Sequence, residues 1–150
     1  MGIENDIHQP NFRNEYQKSV INLIYTFNWL RDRMQGQLAT HQLTMQQYNI
    51  LRILRGAAGP LSTLQIRERM LDKMSDTSRI VDRLIVKDLV KKSTCKADKR
   101  LVDVVITEKG LQQVSELDGY SEEMDRIMDN LSEEEAAQLN YLLDRIRADK

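Results

Sequence analysis

The sequence predicts a mainly α-helical chain with one small antiparallel β-hairpin. Three observations lead there. Apolar residues recur at spacings of three and four over most of the chain, the period of helices with one buried face. A Ser or Thr followed three positions later by Gln or Glu, a pairing that satisfies free amides at a helix start, occurs as Thr44–Gln47, Ser62–Gln65 and Ser132–Glu135. Only two β-rich runs, Leu89 to Cys95 and Leu101 to Ile106, interrupt the pattern, and the charged turn Lys96-Ala97-Asp98-Lys99-Arg100 joins them.

The totals set bounds. A chain of 150 residues suffices for one domain with a buried core. With 41% hydrophobic and 30% charged residues and only two prolines, it is suited to soluble helices. No apolar run reaches the roughly 20 residues of a membrane span. The polar stretch Met1 to Asn11 lacks the apolar core of a secretory signal. A single cysteine excludes an internal disulfide, so a reducing cytoplasm is the expected compartment.

Residues 1–10 read as a loose lead-in. From Phe12 onward Tyr16, Val20, Leu23, Phe27, Leu30, Met34 and Leu38 mark a helix of about seven turns. Ile21, Tyr25 and Trp29 widen its apolar face beyond what one small domain covers, so a dimer interface is expected there. Thr44 starts a helix that carries Tyr48, Leu51, Ile53 and Leu54 inward and stops at Gly56. Ala57-Ala58-Gly59-Pro60 is a turn, and Ser62 opens a short helix containing Leu64, Ile66 and Met70. Two short capped helices followed by a longer one give the helix-turn-helix order.

The longer helix is expected over about Ser75 to Lys87. At 100° per residue Thr77, Ile80, Val81 and Leu84 face inward, Ser75, Ser78, Arg79, Asp82 and Val86 outward, and Asp76 and Arg83 lie on the flank. Small hydroxyls beside an arginine are a set able to approach base edges in a major groove. After it, Val102, Val104 and Ile106 alternate as a half-buried strand does. An arginine at the hairpin tip, Arg100, suits a narrow, negative minor groove, and Asp98 is placed to steady it. Thr107 to Gly110 then starts a helix that Gly119 kinks or breaks, and Ser132 opens the last one, with Leu139, Leu142 and Leu143 on its apolar side.

Net charge is only −1, but it is unevenly spread. From Arg67 to Arg100 there are 11 Lys and Arg against 6 Asp and Glu, which leaves 11 against 17 elsewhere. A field divided in this way attracts a polyanion to the middle of the chain.

Several stretches together resemble the MarR family of bacterial winged-helix regulators. They are Leu43 to Leu51, Ser78 to Leu84 with Leu89-Val90, Asp98-Lys99-Arg100 with Val104 to Gly110, and Leu131 to Glu135 with Leu142-Leu143. The resemblance covers about residues 12–147. It implies a winged helix-turn-helix lobe over 44–107 and a homodimer held by helices within 12–40 and 108–147, through residues such as Tyr16, Val20, Leu23, Leu139, Leu142 and Leu143. It further implies a double-stranded DNA-binding regulator, a repressor on a pseudo-palindromic operator. Ser75, Asp76, Ser78, Arg79, Arg83, Lys96, Asp98, Lys99 and Arg100 would face the DNA. Two positions depart from the pattern: Asp88 stands where the family usually has Gly, and Val86 where it tends to be charged.

Catalysis finds little support, since no glycine-rich phosphate loop, nucleophile elbow or metal-ligand run is present. No cofactor or metal is expected. Tyr25, Trp29, His41 and Tyr48 are candidates for a phenolic or other apolar effector. Two alternatives stay open. One is a helical protein–protein adaptor that keeps the fold without DNA binding. The other is a redox-sensing regulator using Cys95, whose neighbours Lys91, Lys92 and Lys96 favour a thiolate.

Overall fold

The long apolar-faced helix expected from Phe12 starts three residues later because Asn14 caps it. The Asn14 side chain accepts the Gln17 amide at 2.9 Å, and Gln17 Oε1 accepts the Arg13 amide at 2.7 Å. The computed structural model describes residues 2–94, 97–98 and 102–149. They fall into two compact units, Met1–Gln42 and Leu43–Lys150. In the first unit the segment ahead of the cap is ordered, which corrects the expectation of a loose lead-in. It forms a short helix, α1 (Ile3–Asp6), with Ile3 buried, and Glu4 pairs with Lys18 on the long helix α2 (Glu15–Ala39). Lys18 also stands 5.9 Å from the centre of the Phe12 ring. One isoleucine among polar residues carries no period, so the sequence did not reveal this turn.

The second unit contains α3 (Met45–Gly56), β1 (Leu61–Ser62), α4 (Thr63–Arg69), α5 (Thr77–Val86), β2 (Val90–Thr94) and β3 (Val102–Ile106). After them come α6 (Glu108–Asp118), α7 (Ser121–Asp125), a 3-10 turn Arg126–Met128 and α8 (Glu133–Arg147). All three capping boxes form with both reciprocal bonds. Helix α3 ends at Gly56 as expected, but its buried residues are Gln47, Ile50, Leu51 and Leu54, while Tyr48 and Ile53 are only half-buried. Gly119 breaks the next helix: α6 stops at Asp118, where Arg55 of α3 makes a forked ion pair with the Asp118 carboxylate at 2.5 and 3.2 Å.

The hairpin has a third strand that the sequence reading omitted. The sheet order is β1-β3-β2, antiparallel, with Leu61 opposite Val104 and Val90 opposite Ile106. Two residues are too few to show alternation, and Ser62 doubles as the cap of α4. Around this sheet lie the fully buried Ile50, Leu51, Ile66, Val81, Leu84, Leu89, Val90, Val104 and Val114. Each such side chain stabilises the fold by roughly 1.5–3 kcal/mol relative to exposure.

Between α5 and β2 the chain turns a tight corner. The Asp88 amide donates to Ile85 O at 2.9 Å and the Leu89 amide to Leu84 O at 3.0 Å, the paired bonds of a Schellman motif. Asp88 takes φ 64°, the left-handed conformation that glycine adopts without strain. This gives the physical reason for the glycine that the resemblance leads one to expect at this position. The exit from β3 then closes on the corner. Thr107 donates through its amide to Leu89 O at 3.0 Å and through Oγ1 to Asp88 O at 2.7 Å, and Lys109 Nζ reaches Lys87 O at 3.1 Å. Gly110 packs directly against it: an added Cβ would lie 2.3 Å from Leu89 O and 2.7 Å from Ile106 Cγ1.

Two substitutions test this corner with opposite signs. Gly110→Ala should destabilise the protein by about 3 kcal/mol, the upper end of overpacking, lowering the thermal midpoint by roughly 6–12 °C. A drop within about 2 °C would show that the backbones are not in close approach. Asp88→Gly should raise the midpoint by roughly 1–3 °C, because it relieves left-handed strain and removes a carboxylate from the negative end of α5. A lowered midpoint in calorimetry would contradict the left-handed turn.

Candidate nucleic-acid interface

Helix α5 begins at Thr77, not at the expected Ser75, because Asp76 is its cap: the carboxylate accepts the Arg79 amide at 3.1 Å. Asp76, expected among the contact residues, is therefore engaged in holding the helix end. Thr77, Ile80, Val81 and Leu84 are buried, as their angular positions require. Ser78, Arg79, Asp82 and Arg83 face solvent, and Val86 on the same outward side is 87% exposed. Lys92 of β2 pairs with Asp82 at 2.8 Å, so the acidic residue on this face is offset by a cation from the strand. The sequence reading set Lys92 only beside Cys95, and this pairing was not legible in it.

Ser75 lies in the turn before α5, and that turn is tied to α3. Asn49 Oδ1 accepts the Leu71 amide at 3.0 Å, and Gln46 Nε2 donates to Asp72 Oδ2 at 3.0 Å and to Ser75 Oγ at 3.3 Å. Asp72 Oδ1 accepts the Met74 amide at 3.0 Å, and the Ser75 amide donates to Asp72 O at 3.3 Å. The Met74 amide, followed by the Gln46 side chain, holds the Asp72 carboxyl below its usual range, so it stays ionised at physiological pH and keeps accepting both bonds. At the other end of α5, Lys87 Nζ donates to Gln47 Oε1 at 3.2 Å. The first turn of α3 thus grips both ends of α5. Gln46 and Asn49 were missed by the sequence reading; an Asp opening a four-residue turn was the available signal. Between α4 and this turn lies a cleft of about 440 Å³, lined by Thr63, Leu64, Arg67 and Met74 to Ser78.

Cys95, Lys96, Lys99 and Arg100 lie outside the described residues, and Asp98 is half-buried. In the first unit Tyr16, Val20 and Leu23 are exposed on α2. In the second, Leu142 is exposed on α8 and Leu139 and Leu143 are half-buried. Tyr25 and Trp29 are exposed on α2, and the Arg33 guanidinium lies 4.1 Å from the centre of the Trp29 indole. His41 Nδ1 is 3.0 Å from Thr40 Oγ1, and Tyr48 stands 5.8 Å from the Arg52 guanidinium. Among the described residues no three His, Cys, Asp or Glu are grouped to hold a metal, and no helix is long and apolar enough to cross a membrane.

Comparison with known proteins bears on what this face does. The MarR family profile matches residues 43–102, which run from α3 through β2 to the first residue of β3. The HTH-type transcriptional regulator MhqR of Bacillus subtilis is 26% identical over 130 residues, covering 86% of this chain and 89% of the relative. Among solved structures, a cysteine-to-serine mutant of MarR from E. coli complexed with operator DNA matches with TM-score 0.76 and 24% identity, over 97% of this chain and 99% of that one. The organohalide-sensing regulator RdhR in its 2,4-dichlorophenol-bound form matches with TM-score 0.81 and 18% identity, over 89% of this chain and 80% of that one. These last two establish the winged-helix fold. Together with that fold, the profile match over residues 43–102 and the curated relative support a MarR-family transcriptional regulator.

Proposed function

We propose that this regulator works as a homodimer, a repressor that sets α5 of each copy into the major groove of a pseudo-palindromic operator. The observation that carries the reading is the outward face of α5, where Ser78, Arg79 and Arg83 are exposed and Asp82 is offset by Lys92. The likeness to a MarR structure holding operator DNA supports it. Lys96, Lys99 and Arg100 at the hairpin tip are assigned to the minor groove and phosphates on their charge and position in the sequence. The protein acts by binding rather than by catalysis, in the cytoplasm with the DNA it controls.

Dimerisation is assigned to segments within 12–40 and 108–147. Helix α2 exposes Tyr16, Val20, Ile24 and Phe27, and α8 exposes Tyr141, Leu142 and Ile146; exposed apolar residues in such number on each helix call for a protein partner, and a second copy is the economical one. A phenolic or other small apolar compound is the proposed effector, supported by the dichlorophenol-bound relative. Tyr25, Trp29, His41 and Tyr48 remain its candidate contacts, each on the ground of side-chain chemistry.

On operator selected from a random DNA pool, Arg79→Ala should weaken binding by on the order of 30-fold or more, since each dimer loses two base-edge contacts. Fluorescence anisotropy at about 150 mM salt reads this directly. Unchanged affinity would remove α5 from the groove and favour the adaptor reading. Leu23→Asp should turn the dimer into a monomer by light scattering, and a wild-type chain that is already monomeric would refute the proposed assembly.

A further inference from the structure

An apolar feature sits just ahead of α5, and neither the charges nor the hydroxyls of that face account for it. Met74 is 92% exposed and Leu64 is 64% exposed, and both line the cleft that also contains Arg67, Ser75 and Ser78. Single exposed apolar residues are common. The backbone of this one is held: its amide is bonded to Asp72, and its neighbours Leu71, Asp72 and Ser75 are tied to α3 through Asn49 and Gln46. The pinned turn fixes where the methionine leaves the backbone, at the open side of the cleft.

The major groove offers one apolar group on its base edges, the C5-methyl of thymine. We propose that Met74, backed by Leu64, contacts that methyl and reads thymine at one position of each half-site. The inference rests on the docking of α5 proposed above, and continuity with that face selects DNA as the occupant of the cleft. Ser78 and Arg67, which share the cleft, are of the types that approach a base edge and a phosphate. An unbranched thioether adapts its shape to a neighbouring methyl without a hydrogen-bond requirement of its own.

The test uses the full chain and duplexes it selects from a random pool, remade with deoxyuridine at each thymine in turn. That change deletes the methyl and leaves base pairing intact. For the wild type, one symmetric pair of replacements should weaken binding about four-fold per half-site, the worth of one buried methyl. Met74→Ala should lose the same factor on the thymine duplex, lose nothing more on the deoxyuridine duplex, and keep the wild-type salt dependence because no phosphate contact is removed. Since Met74 is exposed, the variant retains the fold. Indifference of the wild type to every replacement would overturn the inference, and so would a variant as sensitive to the methyl as the wild type. A variant that changes oligomeric state and loses affinity for both duplexes alike would make the cleft a protein contact, which overturns it too. If no duplex is selected, the docking of α5 fails and takes this inference with it; selection without methyl sensitivity leaves the docking standing and removes only the role of Met74.

Discussion

The carbonyls of Lys87, Asp88 and Leu89 are the point on which the second unit turns. They belong to the last residues before β2, beyond the reach of the helical ladder, and need donors from elsewhere in the chain. All three are met from one short segment, by Lys109 Nζ, Thr107 Oγ1 and the Thr107 amide. The same threonine caps α6 by accepting the Gly110 amide at 3.1 Å, so one residue joins the end of α5, the end of β3 and the start of α6. Gly110 is what lets the two backbones come close enough for these bonds. With this corner fixed, the direction of the β2–β3 hairpin relative to α5 is fixed as well. The proposed docking, with a helix in one groove and a hairpin in the next, needs that angle to be constant.

The face so positioned is electrostatically managed rather than simply basic. The N-terminal end of α5 carries positive partial charge from its free amides, and Asp76 takes up one of them. Farther along, Asp82 is neutralised from the sheet by Lys92, which leaves Arg79 and Arg83 to set the sign of the exposed turn-and-a-half. The turn ahead of the helix is ordered by carboxamide side chains of α3 instead of by apolar burial, and this allows it to remain at the surface. Polar tethers of this type hold geometry without covering the side chains they position.

Much of this was legible in the sequence, for physical reasons that differ by element. The three capping boxes gave helix starts to the residue because their reciprocal bonds are local and need no tertiary context. The inward set Thr77, Ile80, Val81 and Leu84 followed from period alone, since one face of α5 is buried and the other is not. What escaped was short or long-range. Strand β1 is two residues long and exists only because β3 is beside it; α1 is four residues held by a salt bridge to α2. The capping role of Asp76 escaped because a cap and a first-turn residue look alike until the helix start is known. The tethers Gln46 and Asn49 reach 22 to 29 residues along the chain, a distance over which a single sequence carries no pairing signal. Asp88 was noticed as a departure from glycine, and its positive φ supplies the reason.

The rigidity of the corner is open to direct measurement by amide hydrogen exchange at Leu89 and Thr107, whose amides donate to Leu84 O and Leu89 O. If the corner opens only when the whole second unit unfolds, both amides should exchange as slowly as that of the fully buried Leu51. Exchange as fast as the exposed end of α8 around Ile146 would mean local opening. In that case the hairpin is hinged, and the fixed angle between α5 and the sheet does not exist.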